Sequence, residues 1–249
     1  MKEWIVGRNP VYEVLTTGRR QMFRIQVARG IEEKGRIVDI LNLAQKKCLL
    51  IERVDRAQLN PYGENPQGVA VEVSGYPYMG FQDILDLAEQ RQEALFVLIL
   101  DVIQDPQNLG TLLRTAEAVG VDGVLMPLRR AAEVTPAVVR ASAGASEHLL
   151  VVQANLAQAI SSLKEAGAWI VGLDGGSEAI PVEQARLDGA LALVVGNEGE
   201  GLRSLVRQSC DFLVRLPMVG KVASLNAAVA GSVALYLAMQ ARNRIKPVK

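Results

Sequence analysis

The chain has 249 residues, 49% of them hydrophobic, and its 27 basic and 27 acidic side chains cancel to a formal net charge of zero, so it buries a substantial core in one large domain or two smaller ones. No stretch approaches the roughly 20 uninterrupted apolar residues that span a bilayer, and Met1-Lys2-Glu3-Trp4 lacks the basic-then-apolar pattern of a secretory leader, which makes a cytoplasmic location the expectation. Cys48 and Cys210 lack CxxC spacing and His148 is the one histidine; this argues against a zinc site, a disulfide framework or a multi-histidine metal site, and both thiols are expected to be buried.

In the first 75 residues, apolar runs at 11–15, 23–28, 37–44, 48–54 and 69–73 alternate as short strands and helical stretches, a small α/β module. The segment 60–68, dense in Asn, Pro and Gly, reads as an exposed loop before the last strand. Through Gly80 there are 12 Lys/Arg against 9 Asp/Glu, and beyond it 15 against 18. That asymmetry alone is an ordinary solvated surface rather than a sign of nucleic-acid binding. Gly75-Tyr76-Pro77-Tyr78-Met79-Gly80 breaks all periodicity, so the predicted organisation is a domain over 1–75, a linker and lead-in helix over 76–94, and a second domain over 95–249.

Beyond the linker, strands are predicted at 95–100, 123–126, 149–152, 169–173, 191–195 and 212–216. Helices fall at 109–119, 136–143, 156–165, after Gly201, and from Ser224 onward. Near-continuous apolar strands alternating with helices predict a mostly parallel sheet covered on both faces, with any ligand at the carboxyl ends of the strands.

Three informative segments begin where such strands end. In 105–117, Asp105 or Asn108 is placed to cap a helix carrying Arg114 and Glu117 as near neighbours. Alone, this is a capped helix with a surface Arg–Glu pair. In 191–202, a buried strand runs into Gly196-Asn197-Glu198-Gly199-Glu200-Gly201. Its glycines allow close backbone approach, but two carboxylates and the wrong glycine order exclude a phosphate cradle or dinucleotide fingerprint and suit a cationic or hydroxyl-bearing ligand. In 214–230, a Pro/Gly loop leads to Ser224, placed to cap a long helix rich in Ala, Gly and Ser. Such a helix alone reads as core or an oligomer surface.

Taken in this order, Asn-Leu-Gly-Thr-Leu-Leu-Arg-Thr-Ala-Glu at 108–117, Gly-Asn-Glu-Gly-Glu-Gly-Leu at 196–202 and Leu-Pro-Met with Ser-Leu-Asn at 216–226 resemble the three motifs of the SpoU, or TrmH-like, branch of the SPOUT methyltransferases. Arg-Ala-Ser-Ala-Gly-Ala at 140–145 joins the pattern between the first two, and the resemblance runs from Phe96 onward. The front module resembles the family's substrate-binding extension, similar to ribosomal protein L30e, from Gly7-Arg8-Asn9-Pro10-Val11 to Gln67-Gly68-Val69-Ala70. The resemblance implies an α/β fold whose C-terminal domain carries a deep trefoil knot, homodimerisation through that knot, and S-adenosylmethionine as cofactor. It implies cofactor contacts from Leu173, Gly196, Asn197, Leu216, Met218 and Leu225. It also implies transfer of a methyl group to a ribose 2′-hydroxyl by a set centred on Arg114 with Asn108, Glu198, Ser224 and Asn226, without metal. Structured RNA is the implied partner, a guanosine in 23S ribosomal RNA the favoured target and transfer RNA the alternative. Lys221 stands where relatives have a small or polar residue, and Ala227-Ala228 replaces a usual Val-Ser pair. A non-catalytic RNA-binding relative and a dinucleotide-dependent oxidoreductase are the competing readings. The intact motif residues oppose the first and the missing fingerprint the second.

Overall fold

The computed structural model describes residues 2–222 and 224–243. They form two compact units: residues 2–77 with 133–148, and 78–132 with the described part of 149–243.

In the first unit, β1 (Lys2–Val6), β2 (Met22–Ala28), β3 (Leu50–Val54) and β4 (Val69–Ser74) form a sheet in the order β1-β4-β2-β3. Both β1 and β2 run antiparallel to β4, and β3 runs parallel to β2. The apolar runs at 11–15 and 37–44 are helical, within α1 (Arg8–Thr17) and α2 (Arg36–Lys46). Val11, Val14 and Leu15 of α1 and Ile37 and Ile40 of α2 are fully buried, as are Ile5, Ile25, Val27 and Val71 of the sheet. β1 was not foreseen, because its charged opening, Lys2-Glu3, hides a strand whose later residues Ile5 and Val6 are buried.

Residues 133–148, which the sequence pattern assigns to the second domain, pack in this first unit. They carry α5 (Pro136–Ala141) and the Arg140-to-Ala145 motif. Gly144 has φ 90°, and a Cβ there would lie 2.8 Å from both Cβ and Cγ of Glu13 and 3.1 Å from Cα of Pro10, so only glycine lets the turn rest on α1. Three residues on, the buried Glu147 accepts two hydrogen bonds from the guanidinium of Arg20, at 2.8 and 2.9 Å. Arg20 also donates to Glu3 at 2.9 Å and is itself buried. The Tyr76 hydroxyl donates to the Ser146 carbonyl at 2.8 Å. A buried ion pair persists only when its partners satisfy each other, so this cluster explains why the segment stays with the first unit.

The second unit is a seven-stranded sheet of β5 (Phe96–Asp101), β6 (Gly123–Pro127), β7 (Val151–Ala154), β8 (Trp169–Leu173), β9 (Ile180–Pro181), β10 (Leu191–Gly196) and β11 (Phe212–Arg215). Its order is β7-β6-β5-β10-β8-β11-β9, and every described pairing is parallel. All residues of β5 and β10 are buried. One face is covered by α3 (Phe81–Arg91), α6 (Leu156–Glu165) and α7 (Ser204–Ser209), which bury Ile84, Leu156, Ile160, Leu163 and Val206 with Val97, Ile99, Ile170, Ala192 and Val194 of the strands. α4 (Pro106–Ala118) and α8 (Ala227–Asn243) pack on each other, joined by a 2.8 Å hydrogen bond between the Thr115 and Ser232 hydroxyls. Because β10 enters between β5 and β8, Gly196 lies beside Asp101 and Val195 beside Leu173. The strand ends carrying the sequence motifs therefore share one edge.

The expectation of two buried thiols is corrected. Cys48 is exposed in the turn after α2, with φ 53°, and Cys210 is half-buried. No described helix is long and apolar enough to cross a membrane. Among the described residues, no group of three or more His, Cys, Asp or Glu is arranged to hold a metal ion.

Candidate active site

A cleft of about 620 Å³ opens at the carboxyl ends of β8, β10 and β11, within the size range of small-molecule sites. Leu173, Gly196, Asn197, Leu216, Met218 and Leu225, the six positions singled out for cofactor contact, all line it, together with Glu198 and Ser224.

The loop that forms its floor is held by backbone. Asn197 and Gly201 exchange N–H to carbonyl hydrogen bonds of 3.1 and 3.0 Å, closing a tight hairpin as β10 ends. A Cβ on Gly196 would stand 2.4 Å from the Gly201 carbonyl carbon and oxygen. No side chain fits there, so the motif glycine is required by the close approach of the hairpin's two arms. Below the hairpin, the buried Asp101 carboxylate accepts from the backbone N–H of Arg203 at 2.7 Å and from its Nε at 2.6 Å. Asp101 and Arg203 were missed by sequence reasoning. The available signal was an acidic residue ending the apolar run 96–100 at the ligand-binding edge of the sheet.

Three of the proposed catalytic side chains converge. Asn226 Nδ2 donates to Asn108 Oδ1 at 3.0 Å and to Glu198 Oε2 at 3.1 Å, and Asn108 Nδ2 donates to the same Glu198 oxygen at 3.4 Å. α8 starts at Ala227, and the Asn226 Oδ1 accepts from the N–H groups of Ala228 and Val229 at 2.9 and 3.2 Å. Asn226 therefore caps α8 through its oxygen while its nitrogen orients Asn108 and Glu198. This corrects the expectation that Ser224 is the cap; Ser224 lies exposed on the cleft wall instead. Asp105 caps α4, accepting from the N–H groups of Gln107 and Asn108 at 3.2 and 3.1 Å, which fixes where Asn108 stands.

Arg114 lies outside this network. It is exposed on α4, about 9 Å further along the axis from Asn108 and a third of a turn round the helix. Among the described residues no carboxylate pairs with it, Glu117 included.

The lining is divided chemically. Glu198, Glu200 and Asp174 bring carboxylates to the cleft, while Met218 and Leu225 are 40% and 39% exposed at its rim. An apolar rim, strand-end backbone groups and an acidic floor suit a ligand combining a flat heterocycle with a cationic centre.

The sequence pattern of the SpoU rRNA Methylase family matches residues 95–236, and that of the RNA 2′-O ribose methyltransferase substrate-binding domain matches residues 4–79. The chain is 40% identical over 248 residues to YacO of Bacillus subtilis (strain 168), a candidate TrmH family tRNA/rRNA methyltransferase, covering 98% of this chain and 97% of that one. The SpoU methyltransferase AviRb from Streptomyces viridochromogenes, solved with AdoMet, superposes with a TM-score of 0.79 at 25% identity, over 98% of this chain and 91% of AviRb. An AdoMet-bound rRNA methyltransferase from Sinorhizobium meliloti shares the fold, with a TM-score of 0.79 at 23% identity over 99% of this chain and 88% of the other.

Proposed function

The chain belongs to the SpoU rRNA methylase family, and on that premise we propose that it methylates the ribose 2′-hydroxyl of a guanosine in 23S ribosomal RNA from S-adenosylmethionine held in the strand-end cleft. It is an S-adenosylmethionine-dependent RNA 2′-O-ribose methyltransferase of the TrmH/SpoU type; the ribosomal guanosine, the residue roles and the assembly are our reading. One observation carries it. All six expected cofactor positions line one cleft, and Asn108 and Asn226 interlock with Glu198, which lines the same cleft.

Bound S-adenosylmethionine supplies a methyl group already activated on a sulfonium, so this chain's residues need only align the hydroxyl and ease loss of its proton. Leu216, Met218 and Leu225 would offer apolar surface to the cofactor, and backbone groups at Gly196 and Asn197 would be available to hydrogen-bond it. The Asn108–Glu198–Asn226 network holds a carboxylate towards the cleft, and Ser224 offers a hydroxyl for the ribose. Arg114, exposed and with no carboxylate partner among the described residues, engages the RNA and sets the 2′-hydroxyl in line. Direct proton abstraction by a guanidinium with a pKa above 12 is the weaker role. Arg114→Ala is expected to reduce methyl transfer by at least about 100-fold, while calorimetry finds S-adenosylmethionine affinity unchanged within about twofold. Turnover like that of the wild type would remove Arg114 from the mechanism.

The family's trefoil knot is assigned to the chain from β10 through α8. A homodimer is supported by α8, where Val229, Val233 and Tyr236, spaced for one helical face, are 48%, 42% and 47% exposed. We read the reaction as cytoplasmic, which an RNA substrate supports. The target is tested by mapping 2′-O-methyl sites in total RNA from cells with and without the gene. A signal lost from 23S ribosomal RNA supports the proposal, whereas one lost from transfer RNA replaces it with the transfer-RNA reading.

A further inference from the structure

A pair of arginines just past β6 has no role in the machinery described so far. Leu128, Arg129 and Arg130 form an exposed turn after Pro127. Among the described residues neither arginine has a carboxylate partner, although ion pairs engage Arg20, Arg24, Arg53, Arg91, Arg140 and Arg203 elsewhere. Arg130 has φ 65°, a left-handed conformation that costs a non-glycine residue about 1 kcal/mol or more and persists where the surroundings impose it. The surroundings are visible: the Ala132 N–H donates to the Ile103 carbonyl at 2.8 Å, tying the end of the turn to the segment between β5 and α4.

The strand register places this turn. Val97, Leu98 and Ile99 pair in parallel with Gly123, Val124 and Leu125, so the C-terminal end of β6 leaves the sheet on the same edge as that of β5, where Asp101 lies beside Gly196. With neighbouring strands about 4.8 Å apart, the turn leaves the sheet two strand positions, about 10 Å, from Gly196 at the cleft, on the edge where the segment leading from β5 into α4 also starts. Of the carboxylates at the end of β5 and the start of α4, Asp101 is held by Arg203 and Asp105 by the first N–H groups of α4. The two arginines thus present guanidinium groups with no carboxylate partner among the described residues, in the fork geometry that suits phosphodiester oxygens.

We propose that Arg129 and Arg130 form a phosphate grip that holds the backbone of the substrate RNA strand next to the target nucleotide and so presents its ribose to the cleft. This rests on the RNA methyltransferase reading above. The two are positioning residues, and they bind phosphate rather than read sequence.

The test uses the full chain and ribosomal RNA purified from a strain lacking the gene. The double variant Arg129→Gln/Arg130→Asn removes both charges, with asparagine chosen at 130 because it tolerates positive φ; Arg129→Lys/Arg130→Lys keeps the charge. In the first variant, RNA affinity and kcat/KM are expected to fall about tenfold or more with kcat held within about twofold. The log-log salt dependence of RNA binding should flatten by about 1.4–1.8, the loss of two phosphate contacts. The lysine variant should restore the salt slope, and S-adenosylmethionine affinity and oligomeric state should match the wild type in both. Unchanged RNA affinity and salt slope would overturn the grip, as would a loss confined to cofactor binding or a change in oligomeric state. If the wild type methylates the RNA and the variant equals it, the grip alone fails; if the wild type neither binds nor methylates RNA, both readings fail.

Discussion

Asn226 combines two tasks in one amide: its oxygen starts α8 and its nitrogen gathers Asn108 and Glu198. Asn226→Asp separates them. The aspartate still caps the helix but sets a second carboxylate against Glu198 where a donor stood, so stability should change by less than about 1 kcal/mol while methyl transfer falls steeply. Asn226→Ala loses both, with a further cost of about 1 kcal/mol for the cap. Thermal unfolding and single-turnover methyl transfer on the same preparations distinguish the two. The cysteines allow a second check, because Cys48 is exposed whereas burial pushes the Cys210 thiol up to about 12. Native alkylation near pH 7.5 should therefore label Cys48 and spare Cys210, and rapid labelling of Cys210 would show that the packing around α7 opens. Sequence reasoning singled out Asn108, Glu198 and Asn226 through their motifs, and they do meet in the structure, but it misjudged the cap. Ser224 and Asn226 are both good caps, and only the path of the loop decides which one meets the first free N–H groups. Asp101 was missed because a lone acidic residue after an apolar run has no distinguishing spacing; its partner Arg203 is far away in the chain.

At the scale of elements, the cleft depends on the turn where β10 hands over to the hairpin. Gly196→Ala forces a methyl group to within 2.4 Å of the Gly201 backbone, which has no flexible side chain to yield. The expected outcome is a loss of about 1–3 kcal/mol or more together with loss of S-adenosylmethionine binding, measured by denaturant unfolding and calorimetry. Wild-type cofactor affinity in this variant would show that the hairpin tolerates rearrangement. The parallel sheet, its ligand-bearing edge and most helix positions were legible, since fully buried strands read as continuous apolar runs. The two-residue β9 was not, because Ile180–Pro181 is too short to show a period. Strand order was also hidden: β10 inserts between β5 and β8, and nothing local in the sequence carries that choice.

At the scale of the whole molecule, the first unit is discontinuous in sequence. The apolar pattern of 133–148 looks like any other helix of the second unit, and what draws it to the first is the Arg20–Glu147 pair and the fit of Gly144 on α1, neither of which has a periodicity to read. Glu147→Ala leaves the Arg20 guanidinium buried with one carboxylate fewer and should destabilise the first unit by about 3–5 kcal/mol, followed by denaturant unfolding; a change under about 1 kcal/mol would show that Glu3 suffices.

Discontinuity also sets a timetable during synthesis. Chains emerge N-terminus first and domains tend to fold as units, yet residues 1–77 leave the ribosome without the Glu147 that closes the Arg20 cluster. That partner arrives only after β5 and β6 of the other unit have been made, and β5 must in turn wait for β10, whose Leu191 pairs with Phe96. Neither unit is complete when its first half appears, so nascent chains halted before residue 148 should remain protease-sensitive throughout the first unit.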